Sequence, residues 1–224
     1  MSWILGIDEA GRGPVLGPLV LCGVCIEAAR LPELEALGVR DSKTFGSGAR
    51  AQQRREALAK EITELADVHL AIAEPEEIDH WTAEGGLNRL EQQLATDVIT
   101  QSPSCETIWA DGARLFGPLK ARFSALQAED RADQEHAIVA AASIVAKSKR
   151  DERMAALVMP FTADLGKVSG GGYPNAATAR FMRNYVEHYG SLPPGVRHSW
   201  GWGTLRELKE ELRLQQGTLE ANKR

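Results

Sequence analysis

With 224 residues, of which 43% are hydrophobic and 25% charged, the chain has the size of one α/β domain with an ordinary core and a small terminal appendage. No run reaches the roughly 18 apolar residues that a bilayer span needs, and the apolar stretch 15–26 is broken by Gly17, Pro18 and Gly23 and preceded by acidic residues, unlike a signal peptide. A net charge of −5 argues against a protein that coats nucleic acid regardless of sequence, and three cysteines argue against a disulfide scaffold.

Residues 3–7 are short and apolar and run into Asp8-Glu9, followed by a Gly/Pro connector. Residues 19–26 are rich in Val, Leu, Cys and Ile, so the two runs predict an antiparallel strand pair. Cys22 and Cys25 have CxxC spacing, but on a strand they point to opposite faces, and Cys105 stands alone. They read as small buried apolar residues, and five scattered histidines offer no zinc site. Residues 49–65 have helical periodicity, 68–73 read as a strand, and 75–99 read as helix interrupted near Gly85-Gly86. A short strand at 107–110 ends at Asp111-Gly112, and 123–128 offer another. Residues 133–158 are Ala-rich without Gly or Pro and predict one long helix. A Gly-rich loop at 165–174 precedes a helix at 176–189, the Pro193-Pro194 loop, an amphipathic helix at 204–214 and a polar, frayed tail. Strands first, then helix–strand alternation, indicate a mixed sheet flanked by helices.

Carboxylates stand where elements end: Asp8 and Glu9 after the first strand, Asp111 after a later one, Asp133 at the start of the long helix. Such positions can converge at one edge of an α/β sheet, and four acidic donors suit Mg²⁺ or Mn²⁺. Each also has a plain explanation: Asp133 as a helix N-cap, Asp111 as a turn residue, Asp8-Glu9 as a solvated strand end. Adjacent strand residues face opposite ways, so Asp8 and Glu9 share a site only if the strand ends or bulges there.

The segment GIDEAGRGPVLGPLV, residues 6–20, resembles the opening signature of the ribonuclease HII family. Asp41-Ser42-Lys43, Asp111-Gly112, AAASIVAKSKRD at 140–151 and Gly172-Tyr173-Pro174 resemble further family segments in the same order, so the likeness covers residues 3–200. It implies the ribonuclease H-like fold: a five-stranded mixed sheet with helices on both sides as residues 1–202, with residues 203–224 as a C-terminal helix and tail. It implies that Asp8, Glu9, Asp111 and Asp133 bind two metal ions, Mg²⁺ or Mn²⁺. The likeness also implies Asp133 rather than Asp130, because Asp133 stands ten residues before Ser143, as the family pattern requires. The implied activity is hydrolysis of the RNA strand of RNA–DNA hybrids, and cutting 5′ of ribonucleotides embedded in duplex DNA to leave 3′-hydroxyl and 5′-phosphate ends. Gly11, Arg12 and Gly13 match the element that senses the ribose, and Tyr173 the tyrosine that stacks on a sugar. Glycines do allow close backbone approach to a 2′-hydroxyl, although a plain strand connector reads the same way, and Tyr173 could equally pack on Pro174.

Ser143 and Lys147 fall on one side of the long helix with Asp133 and Ala140, within reach of substrate phosphate, with Lys147–Asp151 pairing as the competing arrangement. Lys43 is a further phosphate-contact candidate. Lys149, Arg150 and Arg153 read as a solvated face. Residues 84–96 match the family's middle helix poorly, and the helix after Trp200 reads as a cap on the domain. Two other functions share the pattern: a non-catalytic hybrid-binding module of the same fold, and a resolvase- or transposase-type DNA nuclease. A cytoplasmic monomer that does not engage membranes completes the expectation.

Overall fold

The computed structural model describes residues 2–40, 46, 48–166, 168 and 170–221. Five strands form one mixed sheet: β1 (Trp3–Ala10), β2 (Leu19–Glu27), β3 (Asp67–Ala73), β4 (Thr107–Asp111) and β5 (Leu126–Glu129), in the order β3-β2-β1-β4-β5. As predicted, β1 and β2 are antiparallel; β3 extends that half, whereas β4 joins β1, and β5 joins β4, in parallel. The helices are α1 (Leu31–Ala36), α2 (Ala49–Leu65), α3 (Pro75–Ala83), α4 (Leu87–Gln101), α5 (Ala113–Phe116), α6 (Ala132–Glu135), α7 (Ala137–Val158), α8 (Thr162–Leu165), α9 (Ala176–Tyr189) and α10 (Gly203–Ala221). Thus the ribonuclease H-like fold class stands. No helix among the described residues is long and apolar enough to cross a membrane.

Strand alternation divides the core. Val20, Cys22, Val24 and Ile26 of β2 face α2 and α7, while Leu5 and Ile7 of β1 face α4 through Leu90, Leu94 and Val98. A third cluster seats α9 and α10 against Val15, Leu16 and Met154, with Leu205 and Leu208 of α10 buried. α10 continues beyond residue 214, where the sequence pattern had placed its end, to Ala221. Cys22 and Cys25 are buried on opposite faces as expected, but Cys105 is not alone: its Sγ lies 3.5 Å from Cys25 Sγ.

Two departures matter for the site. The single long helix predicted from residue 133 is two helices. His136 is extended (φ −118, ψ 116), stacks on Trp109 with ring centroids 3.8 Å apart, and receives the Val139 and Ala140 amides on its carbonyl, so it caps α7. No Gly or Pro marks this break, because an aromatic contact from another strand makes it. Further along α7, Arg150 is buried at 5% exposure rather than solvated, and donates to the carbonyls of Pro18, Leu16 and Gly171.

α7 lies directly on β1. A Cβ on Gly6 would run into the backbone of Ile138, so only glycine permits this approach. We expect Gly6→Val to lower unfolding free energy by about 3 kcal/mol, the upper end of overpacking costs, measured by urea denaturation. A change below about 0.5 kcal/mol would show that α7 does not rest on β1 as described.

Candidate metal and nucleic-acid site

The parallel register of β1 and β4 builds the site. Ile7 lies opposite Ala110, so the next residue on each strand is an aspartate, Asp8 and Asp111. Asp133, on the short α6, supplies a third, and these three residues offer carboxylate oxygens that all lie within 4.8 Å of one another. The break at His136 separates Asp133 from the rigid axis of α7. The turn before α6 is pinned from both sides. Asp111 Oδ1 accepts the Ala132 amide at 3.0 Å and Asp130 Oδ1 accepts the Ala113 amide at 2.9 Å. Asp130 is thereby occupied with the start of α5, while Asp133 joins the cluster.

Glu9 is not within that group of three. β1 continues unbroken through Ala10, pairing Asp8 with Cys22 and Glu9 with Leu21. The two acids therefore do face opposite ways, Asp8 toward α7 and Glu9 toward α4. Glu9 sits close enough to Asp111 for that charge to raise its pKa, after burial as the larger cause; Arg12 opposes both. Its Oε2 is buried and accepts no hydrogen bond.

Asp8, at 5% exposure, has its pKa pushed up to about 8, first by burial and then by the charge of Glu9, with Asp111 adding to it. A hydrogen bond from Ser143 and the charge of Lys147 act the other way. Lys147 Nζ donates to Ser143 Oγ at 2.7 Å, which makes a relay from α7 to Asp8. Ser143, only 3% exposed, is committed to this relay rather than presented at a surface. The alternative partner of Lys147, Asp151, instead pairs with Arg55 at 3.0 Å. Crowded carboxylates, Asp8 buried and Asp111 and Asp133 half-buried, together with the orphaned buried oxygen of Glu9 form a donor set of the kind a hard divalent cation satisfies.

The connector after β1 is held by residues that lie far away in the chain. Arg197 is fully buried and donates to Gly17 O (2.9 Å), Arg12 O (3.2 Å) and Gly11 O (2.6 Å). Burial and the neighbouring Arg150 charge lower its pKa. Its guanidinium lies over the Trp200 ring, 4.8 Å from the centroid, and Trp200 Nε1 donates to Gly13 O at 2.9 Å. Arg12 itself is tied to α4 by an ion pair with Glu91 and a 2.6 Å bond to Asn88. The segment that matched poorly by pattern therefore anchors the connector. Gly11 (φ 97) occupies the left-handed region, where a Cβ would clash with Arg150. The Tyr173 ring, 48% exposed, borders Gly13, where an added Cβ would stand 3.0 Å from it. Gly11, Arg12, Lys147 and Tyr173 thus line one cavity with Glu9, and Gly13 lies against Tyr173, whereas Lys43 lies outside the described residues. Sequence reasoning did not single out Arg197, Trp200 or Glu91; an arginine and a tryptophan just after Pro193-Pro194 were the available signal.

Residues 5–202 match the family model for ribonuclease HII. The chain is 36% identical to ribonuclease HII of Methanocella arvoryzae over 89% of each protein. It is similar in structure to ribonuclease H2 from Pyrococcus horikoshii, with TM-score 0.79 and 31% identity over 94% of this chain and 99% of that one. Ribonuclease HII of Archaeoglobus fulgidus, solved in complex with PCNA, matches with TM-score 0.75 and 32% identity over 88% of this chain and 93% of that one.

Three outcomes follow from these charges. Asp8 rises from about 3.9 in the unfolded chain to about 8 in the fold. Its stabilising contribution is therefore complete below the lower value and is lost as pH rises through the upper one. Metal-free protein should melt at a lower temperature at pH 9 than at pH 6, and Asp8→Asn should flatten that slope; an unchanged slope would contradict the burial of Asp8. Added Mg²⁺ or Mn²⁺ should stabilise more as pH rises over the same window, because binding displaces the proton. Arg197→Met should cost about 3 kcal/mol or more in urea denaturation, since three carbonyls lose a buried charged donor; a loss under about 1 kcal/mol would refute the clamp.

Proposed function

Because the chain belongs to the ribonuclease HII family, an endoribonuclease family, we propose that it hydrolyses the RNA strand of RNA–DNA hybrids in a divalent-metal-dependent reaction and cuts on the 5′ side of ribonucleotides embedded in duplex DNA, leaving 3′-hydroxyl and 5′-phosphate ends. The observation that carries this reading is the aspartate trio, Asp8 buried and Asp111 and Asp133 half-buried, at the end of the strand that leads into a glycine connector. Asp8, Asp111 and Asp133 would hold the ions, with Glu9 contributing from the opposite strand face. Mg²⁺ or Mn²⁺ bound as a pair supplies a water activated for in-line attack and charge stabilisation at the departing 3′-oxygen.

The chain's own groups set the geometry. Lys147, through Ser143, fixes the orientation of Asp8 and offsets part of its charge. The carbonyls of Gly11, Arg12 and Gly13 already accept bonds from Arg197 and Trp200, which leaves the amides as the backbone groups suited to meet a ribose 2′-hydroxyl. That hydroxyl separates RNA from DNA. Tyr173 offers an exposed ring face beside Gly13 for a sugar. A binder without hydrolysis has no need to bury like charges, and a DNA-only nuclease has no use for a rigid amide-presenting connector next to them.

The test is a labelled DNA duplex carrying one ribonucleotide, incubated with Mg²⁺ and separately with Mn²⁺. Cleavage at the ribonucleotide is expected, and the product ends are read by ligation and phosphatase sensitivity. Asp111→Asn should slow turnover by about a thousandfold or more, yet keep its melting temperature, since an amide oxygen still accepts from Ala132. Folded wild-type protein inert with both metals, or Asp111→Asn with full activity, would overturn the reading; cleavage of the all-DNA duplex would favour the DNA nuclease.

A further inference from the structure

Two cavities flank the carboxylates and share Glu9 and Arg12. One, about 370 Å³, contains Gly11, Lys147 and Tyr173 and accounts for one side of a bound strand. The other, about 500 Å³, opens on the far side of Asp111 and is lined by Asn88, Arg114, Leu115 and Arg131.

Arg114 and Arg131 are exposed, and among the described residues neither forms an ion pair, in a chain of net charge −5. The carboxylates closest by position are engaged elsewhere: Asp130 accepts the Ala113 amide, and Asp111 accepts the Ala132 amide. Arg12, by contrast, is tied to Glu91 and Asn88. Arg131 is also the one non-glycine among the described residues with positive φ, 65°. L side chains rarely adopt that conformation, and where it persists the surroundings impose it. Here the two flanking backbone contacts hold the turn, so Arg131 remains on the wall of the cavity instead of following α6.

A polyanionic strand drawn across a carboxylate cluster meets repulsion on both sides of the point where cations neutralise it. Guanidinium forks are suited to neutralising the flanking phosphates, because their donors match phosphate oxygens in pairs. We propose that Arg114 and Arg131 form a phosphate-binding subsite for the nucleic-acid backbone, on the opposite side of the scissile position from Lys147 and Tyr173. This rests on the nuclease reading above and extends it to a footprint spanning both cavities.

The experiment uses the full chain with Arg114→Gln and Arg131→Asn combined; asparagine tolerates the left-handed conformation, and both positions are exposed. Binding of a fluorescent RNA–DNA hybrid is followed by anisotropy in Ca²⁺ across a salt series, and cleavage in Mg²⁺ in parallel. The double variant should bind roughly tenfold more weakly, about 1.4 kcal/mol, with kcat at saturation retained. Its slope of log affinity against log salt should be shallower by roughly 2, one for each lost phosphate contact. Arg213→Gln on α10, remote from both cavities, should leave affinity and slope unchanged. Shortening the duplex from one end should erase the difference between variant and wild type, while shortening from the other should keep it. Unchanged affinity and slope in the double variant would overturn the subsite. Wild-type protein that binds without cleaving would refute the nuclease reading instead, and the salt slopes would still decide the role of the arginines.

Discussion

Like charges crowded at the end of a parallel strand pair govern this molecule. Once Ile7 is set opposite Ala110, Asp8 and Asp111 cannot avoid each other, and the turn carrying Asp133 is pinned by hydrogen bonds to Asp111 and Asp130 at its two flanks. Burial is the main reason Asp8 holds its proton so far above the ordinary carboxylate range, and the neighbouring charges of Glu9 and Asp111 add to it, since like charges resist sharing a site. The fold tolerates the cluster by placing Ser143 and Lys147 of α7 against Asp8, and α7 reaches it because Gly6 presents no side chain. A divalent cation would relieve the remaining repulsion, so the least favourable local feature is also the one suited to select such a ligand.

The connector between β1 and β2 shows a second form of preorganisation. Two buried guanidiniums and an indole take up backbone carbonyls from Gly11 to Pro18, far more donors than a surface loop normally attracts. The arrangement fixes the connector relative to the aspartates, and biases its free hydrogen-bonding groups toward amides. A segment near the C-terminal end of the catalytic fold thereby sets the shape of a loop near the N-terminus. The same segment is anchored in turn, since Asp79 of α3 accepts the His198 and Ser199 amides.

Much of this was legible in the sequence. Apolar runs ending in Asp8 and Asp111 located the strands and their acids, and the likeness to ribonuclease HII, whose pattern sets an acid ten residues before the position of Ser143, favoured Asp133 over Asp130. Other features depended on contacts that no local pattern encodes. The division of the long helix comes from stacking of His136 on Trp109, a residue of β4. Arg150 read as solvated because its neighbours Lys149 and Asp151 are polar, whereas its helical face turns toward the carbonyls of residues 16, 18 and 171. Arg197 offered no signal beyond its place just after Pro193-Pro194, because its partners lie some 180 residues earlier. Period-two alternation made a strand end or bulge the condition for Asp8 and Glu9 to share a site, and the strand has neither there; pattern alone could not foresee that Glu9 would still feel Asp111 from the other strand face.

All of this depends on three aspartates, distant in the chain, offering oxygens to one cation. Anomalous scattering from crystals soaked in Mn²⁺ tests it most directly. Manganese peaks are expected within ligating distance of carboxylate oxygens of Asp8, Asp111 and Asp133 together, and are expected to vanish in crystals of Asp8→Asn with Asp111→Asn. Manganese bound elsewhere with this trio empty, or a trio too widely separated to share an ion, would contradict it.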